Sequence, residues 1–223
     1  MAAEDFQEAA NQEKLISLRE IREQGPIQSC RNFGQRLELG AVAALNQTGE
    51  VLACAKGCWY CCHYKVDARA EEVFRIQSHL KKTLNGQALL DLRKEIEANA
   101  KVLKKMTYHE QLYANLKCPF LVEGSCSIYE VRPEKCQTFH TKDVEGCKST
   151  YERPEVEVPN SFSPAIFESN QARSEGRQMA LAETGYDHTA YELNIALTLA
   201  FADPKYRRNY DRKKKAFPRT NRG

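Results

Sequence analysis

Apolar side chains recur every three or four residues along most of this chain, and that spacing predicts amphipathic α-helices. The predicted helices cover residues 6–23, 27–45, 67–84, 87–106, 164–183 and 188–202. Gly25-Pro26 ends the first helix and Asn85-Gly86 ends the third, for which Asp67 is the candidate N-cap. The third and fourth helices are expected to pack as an antiparallel pair, because their connection is short.

Residues 118–147 break the helical pattern. Short apolar runs in this segment are punctuated by Pro, Gly and Ser, which predicts a β-hairpin over 120–129 that turns at Glu123-Gly124-Ser125. A short helical turn is expected after Arg132-Pro133, since proline favours the start of a helix. The fold is therefore expected to be mainly α, a helical bundle that encloses a small cysteine-rich metal-binding segment with a short β-hairpin.

The composition is that of a globular protein, with 42% hydrophobic and 28% charged residues. We expect a single domain over 1–223. Its expected parts are N-terminal helices (1–50), a cysteine-cluster metal-binding core (51–150), C-terminal helices (151–204) and a basic tail (205–223).

The chain has no export or membrane-spanning pattern. Its first residues are acidic, where a signal peptide carries basic residues before an apolar run. The longest apolar candidate, 190–202, contains Glu192 and Asn194 and falls short of the roughly 18 residues that cross a bilayer. A cytoplasmic protein without a membrane partner is expected.

Nine cysteines are the strongest chemical signal in the sequence. Eight of them form two groups, which are Cys54, Cys58, Cys61 and Cys62, and Cys118, Cys126, Cys136 and Cys147. Cys30 stands alone in a helical pattern, where a buried small side chain is the usual role. In a reducing compartment, clustered cysteines bind metal or carry out redox chemistry more often than they form disulfides. Metal binding is therefore predicted for the clustered thiols.

The adjacent pair Cys61-Cys62 bears on how many ions are bound. Neighbouring side chains diverge by about 100° on a helix and point to opposite faces of a strand. The pair therefore indicates that the first group is shared between two sites, or that a polynuclear centre lies between the groups. Zinc and iron, including an iron–sulfur cluster, both suit cysteine ligands. His63 and His140 lie near cysteines, and whether either one is a ligand is left open.

The stretch "CAKGCWYC", residues 54–61, resembles the CxxxCxxC signature of radical S-adenosylmethionine enzymes. In that family the three cysteines hold an iron–sulfur cluster. The barrel of that family requires repeated strand–helix units after the motif, whereas residues 67–105 predict successive helices.

The stretches "CAKGCWYCC" and "CPFLVEGSCSIYEVRPEKC" together resemble the YkgJ-type, CxxCxxCC-containing family of zinc- or iron-chelating proteins, over residues 54–147. This resemblance implies a metal centre built from Cys54, Cys58, Cys61, Cys62, Cys118, Cys126 and Cys136, with Cys147 as the eighth member. A related cluster occurs in flagellin lysine N-methylases. The alternative function is therefore an iron–sulfur enzyme of redox or methyl-transfer type.

The tail suggests a further alternative, nucleic-acid binding. Its basic residues alternate with Tyr206, Tyr210 and Phe217, which could stack on bases. The sequence contains no glycine-rich phosphate loop, GxSxG or HExxH motif, so whether the protein is an enzyme is left open, as are its protein partners.

Overall fold

The computed structural model describes residues 3–156 and 158–219. Its α-helices are α1 (Ala3–Gln24), α2 (Pro26–Thr48), α3 (Ala70–Thr83), α4 (Gly86–Leu103), α5 (Tyr108–Leu112), α6 (Glu134–Thr138), α7 (Val144–Glu152), α8 (Pro164–Glu183), α9 (Leu193–Ala202) and α10 (Lys205–Asp211). Two short antiparallel pairs join β1 (Asp67–Arg69) to β4 (Ala190–Glu192), and β2 (Leu121–Val122) to β3 (Ser125–Cys126). The mainly α fold with a small hairpin is confirmed. In the described ranges there is no parallel sheet from which a radical S-adenosylmethionine barrel could be built.

Helix α9 is apolar on every side and contributes Leu193, Ala196 and Leu197 to the largest hydrophobic core. A helix of this kind needs neighbours on several faces, and both α3 and α4 pack against it. The prediction that α3 and α4 form an antiparallel pair is wrong, because α9 takes up the apolar face of each. Among the described helices, none is both long and apolar enough to cross a bilayer.

Helix α3 begins three residues later than predicted. Asp67 is not an N-cap but lies in β1, opposite Glu192 of β4. The helix starts at Ala70, and the backbone N–H of the preceding Arg69 donates to the Glu72 carboxylate at 2.6 Å. Both β1 and β4 were predicted as helix. Their pairing joins segments far apart in the sequence, so no local pattern indicated the strands.

Helices α1, α2 and α8 form a second packed layer, in which α1 and α8 lie along one another. Gly176 of α8 lies against the backbone of α1. A Cβ atom at this position would lie 2.1 Å from the carbonyl oxygen of Ala10 and 2.9 Å from the backbone nitrogen of Lys14. The close approach of the two helices therefore requires glycine.

A buried ion pair links this layer to α3. The Arg177 guanidinium donates to Glu71 at 3.3 Å and to the Ser29 hydroxyl at 3.0 Å, and the Arg177 and Glu71 side chains are 1% and 0% exposed. The Tyr210 hydroxyl donates to the other Glu71 oxygen at 3.2 Å. Nearby, Cys30 is buried as expected, and burial raises the pKa of its thiol to about 12.

The basic tail is part of the fold as far as residue 219. Tyr210 is fully buried and Phe217 is 2% exposed, and the backbone N–H of Ala216 donates to Asp187 at 2.8 Å. These two rings are therefore unavailable for the base stacking on which the nucleic-acid hypothesis relied. Most lysines and arginines of the tail are exposed, so nucleic-acid contact stays a prediction, and residues 220–223 lie outside the described residues.

Replacing Gly176 by alanine is expected to lower the free energy of unfolding by about 1–3 kcal/mol, because the added methyl group would collide with the α1 backbone. Urea denaturation measures the loss. Gly86→Ala is the matched control, since nothing lies within 4 Å of a Cβ at that position. Wild-type stability of Gly176→Ala would contradict the close helix contact.

Replacing Arg177 by methionine is expected to lower the free energy of unfolding by about 3–5 kcal/mol, because it leaves the Glu71 carboxylate buried without a cation. The double variant Arg177→Met, Glu71→Gln removes the stranded charge and should recover part of that loss in the same denaturation experiment. A double variant less stable than Arg177→Met would show that the buried charge is not the cause.

Candidate metal centre

The first cysteine segment has little regular structure and is shaped by tight turns. Gly57 adopts a left-handed backbone with φ of +90°, and the N–H of Cys58 donates to the Ala55 carbonyl at 3.0 Å. A 3-10 turn, Tyr60–His63, then carries both Cys61 and Cys62.

The second cysteine segment is joined directly to the first. The N–H of Cys118 donates to the Cys62 carbonyl at 2.8 Å. The β2–β3 hairpin follows and pairs Leu121 with Cys126, and Gly124 takes a positive φ in the turn. The predicted hairpin and its turn are therefore confirmed, although each strand is only two residues long.

Buried polar contacts fix the short helix α6, which carries Cys136. The N–H of Glu134 donates to the Glu72 carboxylate at 2.6 Å. The Glu134 carboxylate accepts from Arg69 of β1 and from Ser174 of α8. The helical turn predicted after Arg132-Pro133 is present, and side chains of α3, β1 and α8 fix its position.

Four thiols gather around the hairpin, and we refer to them as the hairpin set: Cys62, Cys118, Cys126 and Cys136. Burial raises the pKa of the Cys136 thiol, and the neighbouring Cys118, Cys126 and Cys62 raise it further. Burial raises the pKa of the Cys118 thiol to about 12, and the nearby Cys62 and Cys126 act in the same direction.

Three thiols gather on the other side of the 3-10 turn, and we refer to them as the loop set: Cys54, Cys58 and Cys147. The N–H of Ala53 donates to the Thr141 carbonyl at 2.9 Å, which brings the loop against the start of the segment that carries α7. Burial, followed by the nearby Cys54 and Cys58, raises the pKa of the Cys147 thiol to about 11.

Cys61 lies between the two sets. Its thiol donates to the sulfur of Cys62, and this contact, followed by burial, raises the Cys61 pKa and lowers that of Cys62. Cys136 of the hairpin set and Cys58 of the loop set are both near enough to act on it.

The neighbouring side chains have separate roles. Arg132 stacks over the Tyr129 ring at 3.7 Å. Burial raises the pKa of the Cys126 thiol, and the positive charge of Arg132 partly offsets that rise. Both ring nitrogens of His140 face backbone groups: Nε2 accepts from the Ser163 N–H at 3.0 Å, and Nδ1 lies 2.9 Å from the Thr138 carbonyl. His140 is thus committed to hydrogen bonding.

An aromatic cluster packs beside the loop set and was missed by the sequence analysis. The rings of Trp59, Tyr60 and His63 surround Tyr151, with centroid distances of 4.6–5.9 Å. Tyr151 is on α7, four residues after Cys147, so both lie on one helical face. This spacing was the available signal, but residues 144–152 were not recognised as a helix.

The two cysteine segments thus meet in the fold, at the hydrogen bond between Cys118 and Cys62. Among the described residues, no three cysteine, histidine, aspartate or glutamate side chains form a group that could hold a metal. The donor set itself fits zinc or iron, both of which take four thiolates.

Comparison with known proteins identifies the segment that carries these cysteines. No curated protein and no solved structure gave a significant match. A family model does match residues 53–155, slightly less than half of the chain, and is described as "Putative zinc- or iron-chelating domain". That range contains all eight clustered cysteines, so the expected resemblance is confirmed: residues 53–155 match the family model of the CxxCxxCC domain.

Proposed function

We propose that the protein binds two metal ions, each through four thiolates. The hairpin set, Cys62, Cys118, Cys126 and Cys136, holds one ion. The loop set together with Cys61, namely Cys54, Cys58, Cys61 and Cys147, holds the other.

The separation of the thiols into two neighbourhoods carries this proposal. After burial, Cys118, Cys126 and Cys62 raise the pKa of the Cys136 thiol, whereas Cys54 and Cys58 raise that of the Cys147 thiol. Backbone hydrogen bonds support the same division, because Cys118 is bonded to Cys62, while Ala53, which directly precedes Cys54, is bonded to Thr141.

Cys61 completes the loop set because the hairpin set already has four members. Rotation of the Cys61 thiol away from Cys62 and towards Cys58 would let the two adjacent residues serve different ions. Rotation of the thiols about their Cα–Cβ bonds would close each set, since cysteine side chains move between staggered rotamers.

A bound ion would supply a cross-link between segments that otherwise share few regular elements. Four thiolates form a closed site of structural type for zinc, and they also suit iron–sulfur clusters. The residues of this chain would hold the two cysteine segments together and so position the thiols around each ion.

Replacing Cys58 or Cys126 by serine is expected to remove one of two bound ions in each case, because the two residues belong to different sites. Metal analysis of anaerobically purified full-length protein measures the stoichiometry. Each variant should also melt at a lower temperature, since metal-binding energy contributes to folding.

Cys30→Ala is the matched control, because this ninth cysteine is buried away from both sets and should leave two ions bound. Loss of all metal in both single serine variants would instead indicate one polynuclear centre. Unchanged metal content in both variants would refute thiolate binding at these positions. A broad absorbance band near roughly 400 nm would identify iron–sulfur, whereas colourless protein would favour zinc.

Metal uptake is expected to release protons and to weaken as the pH falls. Burial raises the pKa of Cys118 to about 12 and that of Cys147 to about 11, so these thiols hold their protons at neutral pH in the metal-free protein. A metal binds the thiolate, and each proton that is displaced makes the apparent affinity rise about tenfold per pH unit. Zinc titration calorimetry in two buffers of different ionisation enthalpy should show release of up to about four protons per ion, one from each protonated thiol. Equal heats in both buffers would contradict this prediction.

A further inference from the structure

A groove of about 600 Å³ lies beside the cysteine-rich core and plays no part in holding the thiols. One wall is α2, the other is α3, and the 3-10 turn Tyr129–Val131 closes one side. This volume lies within the range of pockets that bind small organic ligands.

Positive charge dominates the two walls. Arg31 projects from α2, whereas Arg75, His79 and Lys82 recur at helical spacing along one face of α3. Among the described residues, neither Arg31 nor Lys82 has an ion-pair partner. Arg75 donates to the backbone carbonyl of Glu130, which orients its guanidinium without neutralising it.

The acidic residues of the groove do not cancel this charge. Glu38 faces Arg132 at 3.5 Å, so its carboxylate is already paired. Glu130 therefore remains as one carboxylate against three permanent cations. Unpaired arginine and lysine in a concave surface attract phosphate and carboxylate groups.

An exposed aromatic ring lines the same groove. Tyr129 is 60% exposed, and the Arg132 guanidinium covers one face of its ring at 3.7 Å. Stacking by arginine holds the ring in place and leaves its other surface for a flat ligand group. The groove is also much larger than a phosphate ion needs.

We propose that this groove binds a nucleoside phosphate, with the phosphate groups at Arg31, Arg75 and Lys82 and the base against Tyr129. This inference is independent of the metal proposal, since none of the eight clustered cysteines lines the groove. The groove nevertheless borders the segment between Cys126 and Cys136, so a bound ligand would lie next to the hairpin set.

Titration calorimetry of the full-length protein with ADP, pyrophosphate and adenosine tests the assignment. ADP should bind more tightly than either of its parts. Arg31→Gln with Lys82→Gln should weaken ADP and pyrophosphate binding by about tenfold or more, since each charged hydrogen bond contributes that much. Tyr129→Ala should reduce the affinity for ADP towards that for pyrophosphate and leave pyrophosphate binding unchanged.

Lys101→Gln with Lys104→Gln is the matched control, because it removes the same charge from the exposed end of α4, outside the groove. It should bind ADP as the wild type does. No ADP binding by the wild type, equal weakening in both double variants, or pyrophosphate binding as tight as ADP binding would each overturn the proposal. Cys58→Ser should still bind ADP, so failure of the metal proposal would be distinguishable from failure of this one.

Discussion

One backbone hydrogen bond, from the N–H of Cys118 to the carbonyl of Cys62, joins the two cysteine segments at the centre of the candidate metal site. Both segments are nearly devoid of long helices or strands, so few other backbone contacts fix their relative position. The contact between Ala53 and Thr141 performs the same task on the loop side. The division of the thiols into two sets depends on these contacts, because they decide which cysteines are neighbours.

The surrounding helices hold this arrangement through buried polar groups. Along α8, Gly176 touches the α1 backbone, Arg177 reaches Glu71 of α3, and Ser174 donates to Glu134 at the start of α6. A single helix thus connects the outer layer to the element that carries Cys136. Polar groups buried at such depth are costly when unpaired, which ties the position of α6 to correct packing of the whole layer.

The local patterns predicted the elements whose formation is decided by neighbours in sequence. Apolar residues spaced three or four apart predicted α1, α2 and α8, and glycine and proline predicted where helices end and where the hairpin turns. These signals act between residues close in sequence. Prediction failed at Asp67 and at 190–192, where two strands pair across the fold. It also failed for the packing of α3 and α4, because the burial of α9 between other elements decides which faces meet.

The sequence by itself determined that eight cysteines lie in two groups and that residues as close as Cys61 and Cys62 cannot easily share one ion. Those conclusions need only the chemistry of thiolates and the geometry of adjacent side chains. Only the tertiary structure decided that Cys62 lies against Cys118 of the second group and that Ala53 lies against Thr141, near the helix that carries Cys147. It also decided that the tail rings are buried and that α2 and α3 form a cationic groove. Such pairings depend on contacts between residues far apart in the chain, which no local pattern records.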